Sequence, residues 1–167
     1  MRAIYRHAGA VLLAAVSSSA FAQPKADFGT LAMCDKLSRL PAGYRAIDCD
    51  KRAPLRQCSF SLPGDKLPIT YFVEDGFVKS KWLTFGTRTS PIGPFGLKGG
   101  DREGAAMVKV RRGTGLAFQK WDDEDGGAGA TYYQSSDITC RNNSYNLRVF
   151  FENGVLERVS VSSLPMN

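Results

Sequence analysis

Histidine is almost missing from this chain: its 167 residues hold one, His7. That residue lies in a leader expected to be removed, so the working protein would contain none. The absence excludes Ser-His-Asp and Cys-His activation of a nucleophile. It also excludes the usual histidine-bearing metal sites. No Cys-x-x-Cys occurs, so a redox-active pair is not indicated, and zinc spacing is absent as well. The longest apolar run, residues 8–16, falls short of the about 20 residues that a membrane span needs. No nucleic-acid-binding module pattern appears. What survives is chemistry by paired carboxylates or by lysine, and no pair of acids is singled out for it. The expectation is a protein without catalytic residues, cofactor or metal.

Residues 1–22, MRAIYRHAGAVLLAAVSSSAFA, carry Arg2 and Arg6, then the apolar run, then Ala20-Phe21-Ala22 as a small-x-small cut site. That three-part layout predicts a secretory signal peptide cleaved near Ala22-Gln23. No cysteine stands at the cut, so no lipid anchor is expected. Removing 22 of 167 residues leaves 145, enough to bury a core. The net charge falls from +6 to +4 with Arg2 and Arg6 gone. The chain therefore reads as periplasmic or secreted. The densest basic cluster, Lys109, Arg111 and Arg112, reads as a solvated face.

Cys34, Cys49, Cys58 and Cys140 all lie in the mature part. An even count in an oxidising compartment predicts two disulfides, with three possible connectivities.

Along the chain, residues 29–40 predict a short helix capped by Thr30, with Leu31, Cys34, Leu37 and Leu40 at spacings of three and Pro41 as its stop. Strands are expected over residues 44–49 and 57–62, the second closed by Pro63-Gly64-Asp65. Asp75-Gly76 between residues 69–74 and 77–82 is a type I′ hairpin signature. A two-residue turn would place Ile69, Tyr71, Val73, Val78, Ser80 and Trp82 on one face. Phe72, Phe77, Lys79 and Lys81 would lie on the other. Residues 85–100, rich in Gly, Pro and Ser, read as a connector. Asp101 could cap a helix over residues 102–112, with Val108 and Val110 leaving a strand reading open, and residues 116–121 predict a strand. The acidic run at 122–127 reads as a solvated turn, because it lacks calcium-loop spacing. Asn153-Gly154 marks a second hairpin, over residues 145–162.

The two hairpins align, Phe72 with Phe150, Glu74 with Glu152 and Gly76 with Gly154, while Lys79 sits opposite Glu157. Each follows a cysteine, Cys58 or Cys140, and a candidate helix. A duplication is expected, with one unit at residues 23–90 and another at 91–167. The expected fold is α+β: an antiparallel sheet with helices on one face, built from two tandem helix-plus-hairpin repeats.

Such a tandem resembles the β-lactamase inhibitor protein fold and the SmpA/OmlA unit of small outer-membrane lipoproteins. Gly96-Leu97-Lys98-Gly99-Gly100-Asp101 and the segment Val149 to Leu156 carry the likeness, which spans roughly residues 28–163. The absent lipidation cysteine departs from the lipoprotein pattern. The resemblance implies a bridge from the first helix to the segment after it, Cys34–Cys49, leaving Cys58 for Cys140. It also implies a sheet face that grips another protein. The candidate protein-binding residues are Phe72, Phe77, Lys79, Lys81, Arg148 and Phe150, a mixture of aromatics and cations. The function expected is an exported non-catalytic protein-binding module of inhibitor or immunity type, whose partner is another exported or envelope protein. The alternatives are a structural cell-envelope assembly protein and a histidine-free hydrolase using two carboxylates.

Overall fold

Two Asx-Gly turns organise the molecule. A computed structural model of the chain describes residues 26–86, 91–122, 128–140 and 143–163. Asp75 and Gly76 have φ of 49° and 76°, and Asn153 and Gly154 have 50° and 70°. Type I′ turns need this left-handed backbone at both central positions. The first turn joins β3 (Thr70–Glu74) to β4 (Phe77–Thr84), and the second joins β8 (Asn143–Glu152) to β9 (Val155–Ser163). The other strands are β1 (Arg45–Cys49), β2 (Gln57–Ser61), β5 (Phe118–Asp122), β6 (Ala130–Ser135) and the short β7 (Ile138–Cys140). All nine form one antiparallel sheet in the order β1-β2-β3-β4-β9-β8-β6-β5, with β7 also paired to β8. The halves of the chain meet where β4 pairs with β9.

Both hairpins carry a bulge at the same step. Val73 pairs with Val78 but Phe72 pairs with Ser80, so Lys79 is the extra residue. Phe151 pairs with Leu156 but Phe150 pairs with Arg158, so Glu157 is extra. An extra residue shifts every later side chain to the opposite face. Lys81, expected opposite the apolar face, therefore lies beside Tyr71 in the core and is fully buried. Trp82, expected in the core, lies on the other side of the sheet.

The core is built from Phe60, Tyr71, Val73, Val78 and Leu83 of the first half and Tyr145, Leu147, Val149, Phe151, Leu156, Val159 and Val161 of the second. One α-helix, α1 (Glu103–Thr114), covers part of it through Ala106, Met107 and Val110. Its end is closed by Gly115 in the left-handed conformation, whose N–H donates to the Arg111 carbonyl. The other cover is a strap over residues 26–40, which buries Phe28 and Met33.

The expected α+β arrangement is thereby corrected: the fold is sheet-dominated, and the described residues hold a single α-helix. The first expected helix-plus-hairpin unit has no helix. Within residues 29–40 the backbone donors find partners other than the carbonyl four residues back. Cys34 N–H donates to Val78 O and Leu37 N–H to Gly76 O. The Asp27 carboxylate accepts from Met33 N–H at 2.9 Å. Gly29 and Cys34 have φ of 82° and 65°, which no right-handed helix tolerates. The spacing of three reflects apolar side chains laid along the β3–β4 hairpin.

The disulfides are Cys34–Cys140 and Cys49–Cys58, so the pairing implied by the family resemblance is overturned. Cys49 and Cys58 are register partners on adjacent strands β1 and β2. Cys140 lies in β7, not in a counterpart of β2, and fastens the strap to the second half. No described helix is long and apolar enough to cross a membrane. Two disulfides with no free cysteine indicate a non-cytoplasmic, oxidising location. The signal sequence, the cut and residues 123–127 of the acidic run lie outside the described residues.

The turns give a stability test. At Gly154 a Cβ would meet nothing within 4 Å, so Gly154→Ala should cost only the left-handed backbone penalty, roughly 1–2 kcal/mol. At Gly76 it would come within 3.2 Å of the Leu37 carbonyl of the strap. Gly76→Ala should therefore cost more than Gly154→Ala in urea unfolding. The reverse order would contradict the docked strap.

Candidate functional site

Alternation along each strand divides the sheet into a core face and a face turned away from α1 and the strap. Register alone lays out three rows on that outer face. One runs Thr70, Trp82, Ser160, Arg148, Gln134, Gln119. A second runs Ser59, Phe72, Ser80, Ser162, Asn146. The third runs Thr84, Arg158, Phe150, Tyr132, Trp121. Small hydroxyl side chains occupy the middle of the sheet, around Ser80, Ser160 and Ser162, and aromatic or arginine side chains flank them.

The second half carries a stack. Tyr132 and Phe150 lie 5.4 Å apart with planes inclined by 28°. The Arg158 guanidinium sits 4.2 Å above Phe150, and that of Arg148 sits 5.8 Å from Tyr132. Arg148 Nε donates to Gln134 Oε1 at 3.0 Å. Phe150 is 9 % exposed yet lies outside the core cluster, because its neighbours on the outer face cover it. Trp121 at the end of the row is 44 % exposed. At the opposite end of the face Asp48, Asp50, Gln57, Ser59 and Phe72 line a depression of about 290 Å³.

Of the six candidate binding residues, Phe72, Arg148 and Phe150 share the outer face. Phe77 and Lys79 sit at the β3–β4 turn and bulge, where the Lys79 ammonium lies 6.0 Å from the Phe77 ring. Lys81 is corrected to a core residue. Its ammonium pairs with Asp27 and donates to the Leu31 carbonyl at 2.5 Å. Burial pushes Lys81 below its ordinary pKa, with the Asp27 charge acting against that shift. Trp121, Tyr132, Gln134 and Arg158 were not singled out from sequence. The available signal was the paired aromatics in β6 and the Arg158, Ser160, Ser162 alternation after the second turn.

The core side has its own polar chemistry. Tyr71 Oη donates to Asp65 at 2.6 Å and accepts from Thr30 N–H at 2.9 Å. Tyr145 Oη is buried without a partner among the described residues. Burial pushes both phenols well above their ordinary value, and the Asp65 bond adds to the shift at Tyr71. On the helix side, Lys120 and, to a lesser degree, Tyr133 donate to Glu103, and these bonds hold that carboxyl below its usual range.

These shifts set an alkaline limit. A phenol whose pKa is raised by folding stabilises the fold fully below the unfolded value of about 10. That stabilisation is lost as pH rises through the folded value. Lys81, shifted down, contributes in the opposite sense, but its contribution is complete by the ordinary lysine value of about 10.4 and does not grow beyond it. Unfolding is expected to become easier above about pH 10. Tyrosinate absorbance from Tyr71 and Tyr145 should appear together with loss of the folded signal. Smooth, independent titration of all tyrosines would contradict the buried phenols.

Among the described residues, no group of three or more His, Cys, Asp or Glu is placed to hold a metal ion. The chain matches no protein-family model, no curated protein and no solved structure.

Proposed function

We propose that this chain is an exported, non-catalytic protein-binding module of inhibitor or immunity type, working in the periplasm or outside the cell through the outer face of its sheet. The observation that carries the reading is the division of cover. α1 and the strap lie on the core face, while aromatic and arginine side chains on the other face stack on one another. An interface centre is enriched in such residues. The leader at residues 1–22 and the lack of histidine after it support export and the absence of the common nucleophile chemistries. The disulfides fit the same compartment.

The test is affinity capture from periplasm and culture medium, with the exported protein and a Ser162→Trp variant as baits. Ser162 lies in the central row of small residues, so tryptophan there would fill the face without entering the core. One stoichiometric partner on the unmodified bait and none on the variant is the expected result. Equal recovery on both, or no partner on either, would sink the proposal.

A further inference from the structure

Resting on that reading, we infer that the part of the outer face carried by β9, β8, β6 and β5 is a docking site for an acidic segment of a protein, with Arg148 and Arg158 receiving its carboxylates. The two arginines are diagonal neighbours on adjacent strands, because Arg148 pairs with Ser160 and Phe150 with Arg158. Each guanidinium is laid against a ring, at Phe150 and at Tyr132. The Arg148 Nε–H is held by Gln134, while the Arg158 Nε is buried with no hydrogen-bond partner among the described residues, so Arg158 is placed by its stacking on Phe150 alone. A planar guanidinium held this way keeps its remaining donors in a fork that matches a carboxylate, and it loses little rotamer freedom on binding.

Neither arginine forms an ion pair with any described residue. Glu152 and Glu157, at the turn and bulge of the same hairpin, make no such contact with them. The rows that contain the arginines hold no carboxylate. Two cations without a counter-charge among the described residues favour an anionic occupant.

The stack also decides what kind of anion. A carbohydrate platform needs free ring faces, but here Tyr132 and Phe150 lie against each other and against guanidinium groups. The surface offers ring edges, guanidinium donors, the Gln119 and Gln134 amides and one half-exposed indole, Trp121. That combination suits a polypeptide bearing Asp or Glu.

The experiment titrates the exported protein with a hexaglutamate peptide, following the Arg Nε–H and Trp indole resonances by NMR. Hexaglutamine and a polyphosphate of equal charge are titrated in parallel. Saturable shifts at Arg148, Arg158 and Trp121 are expected with hexaglutamate and not with hexaglutamine. Affinity should fall at least tenfold in Arg148→Gln/Arg158→Gln, and should fall with salt. The lysine double variant should recover part of it, since charge returns without the planar fork. Four outcomes of the titrations would overturn the inference: no saturable shift; shifts unchanged in the double glutamine variant; at least tenfold tighter binding of polyphosphate, which would indicate a phosphate polymer; or the same resonances moving with protein concentration alone, which would indicate a second copy offering Asp48 and Asp50. A partner captured equally by the double glutamine variant but lost by Ser162→Trp would overturn only this inference and leave the binding-face reading standing.

Discussion

Replacing Cys34 and Cys140 by serine is expected to produce the largest loss of stability of any change outside the central core. The bond spans 106 residues. The chain-entropy account assigns about 4.7 kcal/mol to a closed loop of about 100 residues, and about 3 kcal/mol to one of about 15. A domain of this size has a total stability of roughly 5–15 kcal/mol. The bond also holds the strap, which donates backbone hydrogen bonds to Val78 and Gly76 and buries Phe28 and Met33. Cys49–Cys58 spans nine residues between strands already paired by register. Its serine double variant should cost about 2 kcal/mol less. Denaturant midpoints of the two variants under oxidising conditions provide the comparison. Equal losses, or a greater loss for the shorter bridge, would remove the strap from its assigned place in the core.

Lys81→Met is expected to be nearly as damaging, although it puts an apolar side chain in an apolar setting. Side-chain exposure is 0 % for Lys81 and 1 % for Asp27. Removing the lysine strands a buried carboxylate, and breaking a buried pair from one side costs about 3–5 kcal/mol. Asp27 would retain its bonds from the Phe28 and Met33 N–H groups, at 2.8 and 2.9 Å, which places the loss toward the lower end. Asp27→Asn should cost less than Lys81→Met. Burial already favours the neutral amine, so Lys81 can shed its proton when the carboxylate is gone. The double variant should recover much of the loss, because no uncompensated charge remains. A double-mutant cycle in urea measures this coupling. Strict additivity would show that Asp27 and Lys81 do not act as a pair.

The elements closed by local chemistry were the readable ones. Asp75-Gly76 and Asn153-Gly154 located both hairpins, since few residue pairs adopt two left-handed conformations in succession. Strands expected at 44–49 and 57–62 lie within two residues of β1 and β2; at 102–112, where the residues leave helix and strand both open, the helix α1 forms, with Arg102 rather than Asp101 at its N-cap. The bulges at Lys79 and Glu157 were hidden, because a polar residue beside an apolar one looks the same whether or not the ladder skips it. That single skip placed Lys81 on the wrong face and Trp82 in the core. The strap imitates a helix in its sequence because a spacing of three along one apolar edge also arises from an irregular segment lying on a hairpin. At the site, Arg148 and Phe150 were legible from the second hairpin alone. Tyr132 and Arg158 were not, since their importance comes from sheet order, which sets Tyr132 beside Phe150 across β6 and β8. The cysteine pairing depends on which distant strands adjoin, and spacing carries no record of that.

The order of the cysteines along the chain differs from the order of their bonds. On the export proposed above, a chain threaded N-terminus first would present Cys34, Cys49 and Cys58 to the oxidising side long before Cys140. An oxidant acting on whatever thiols have emerged could close the native Cys49–Cys58 bridge, or could join Cys34 to Cys49 or Cys58, and then only thiol–disulfide exchange would release it. On that route the wide span of one bridge makes correct maturation depend on early closure of Cys49–Cys58, on an isomerase, or on oxidation that waits for the whole chain. Hosts deficient in that exchange should accumulate mis-bridged forms, visible by non-reducing peptide mapping.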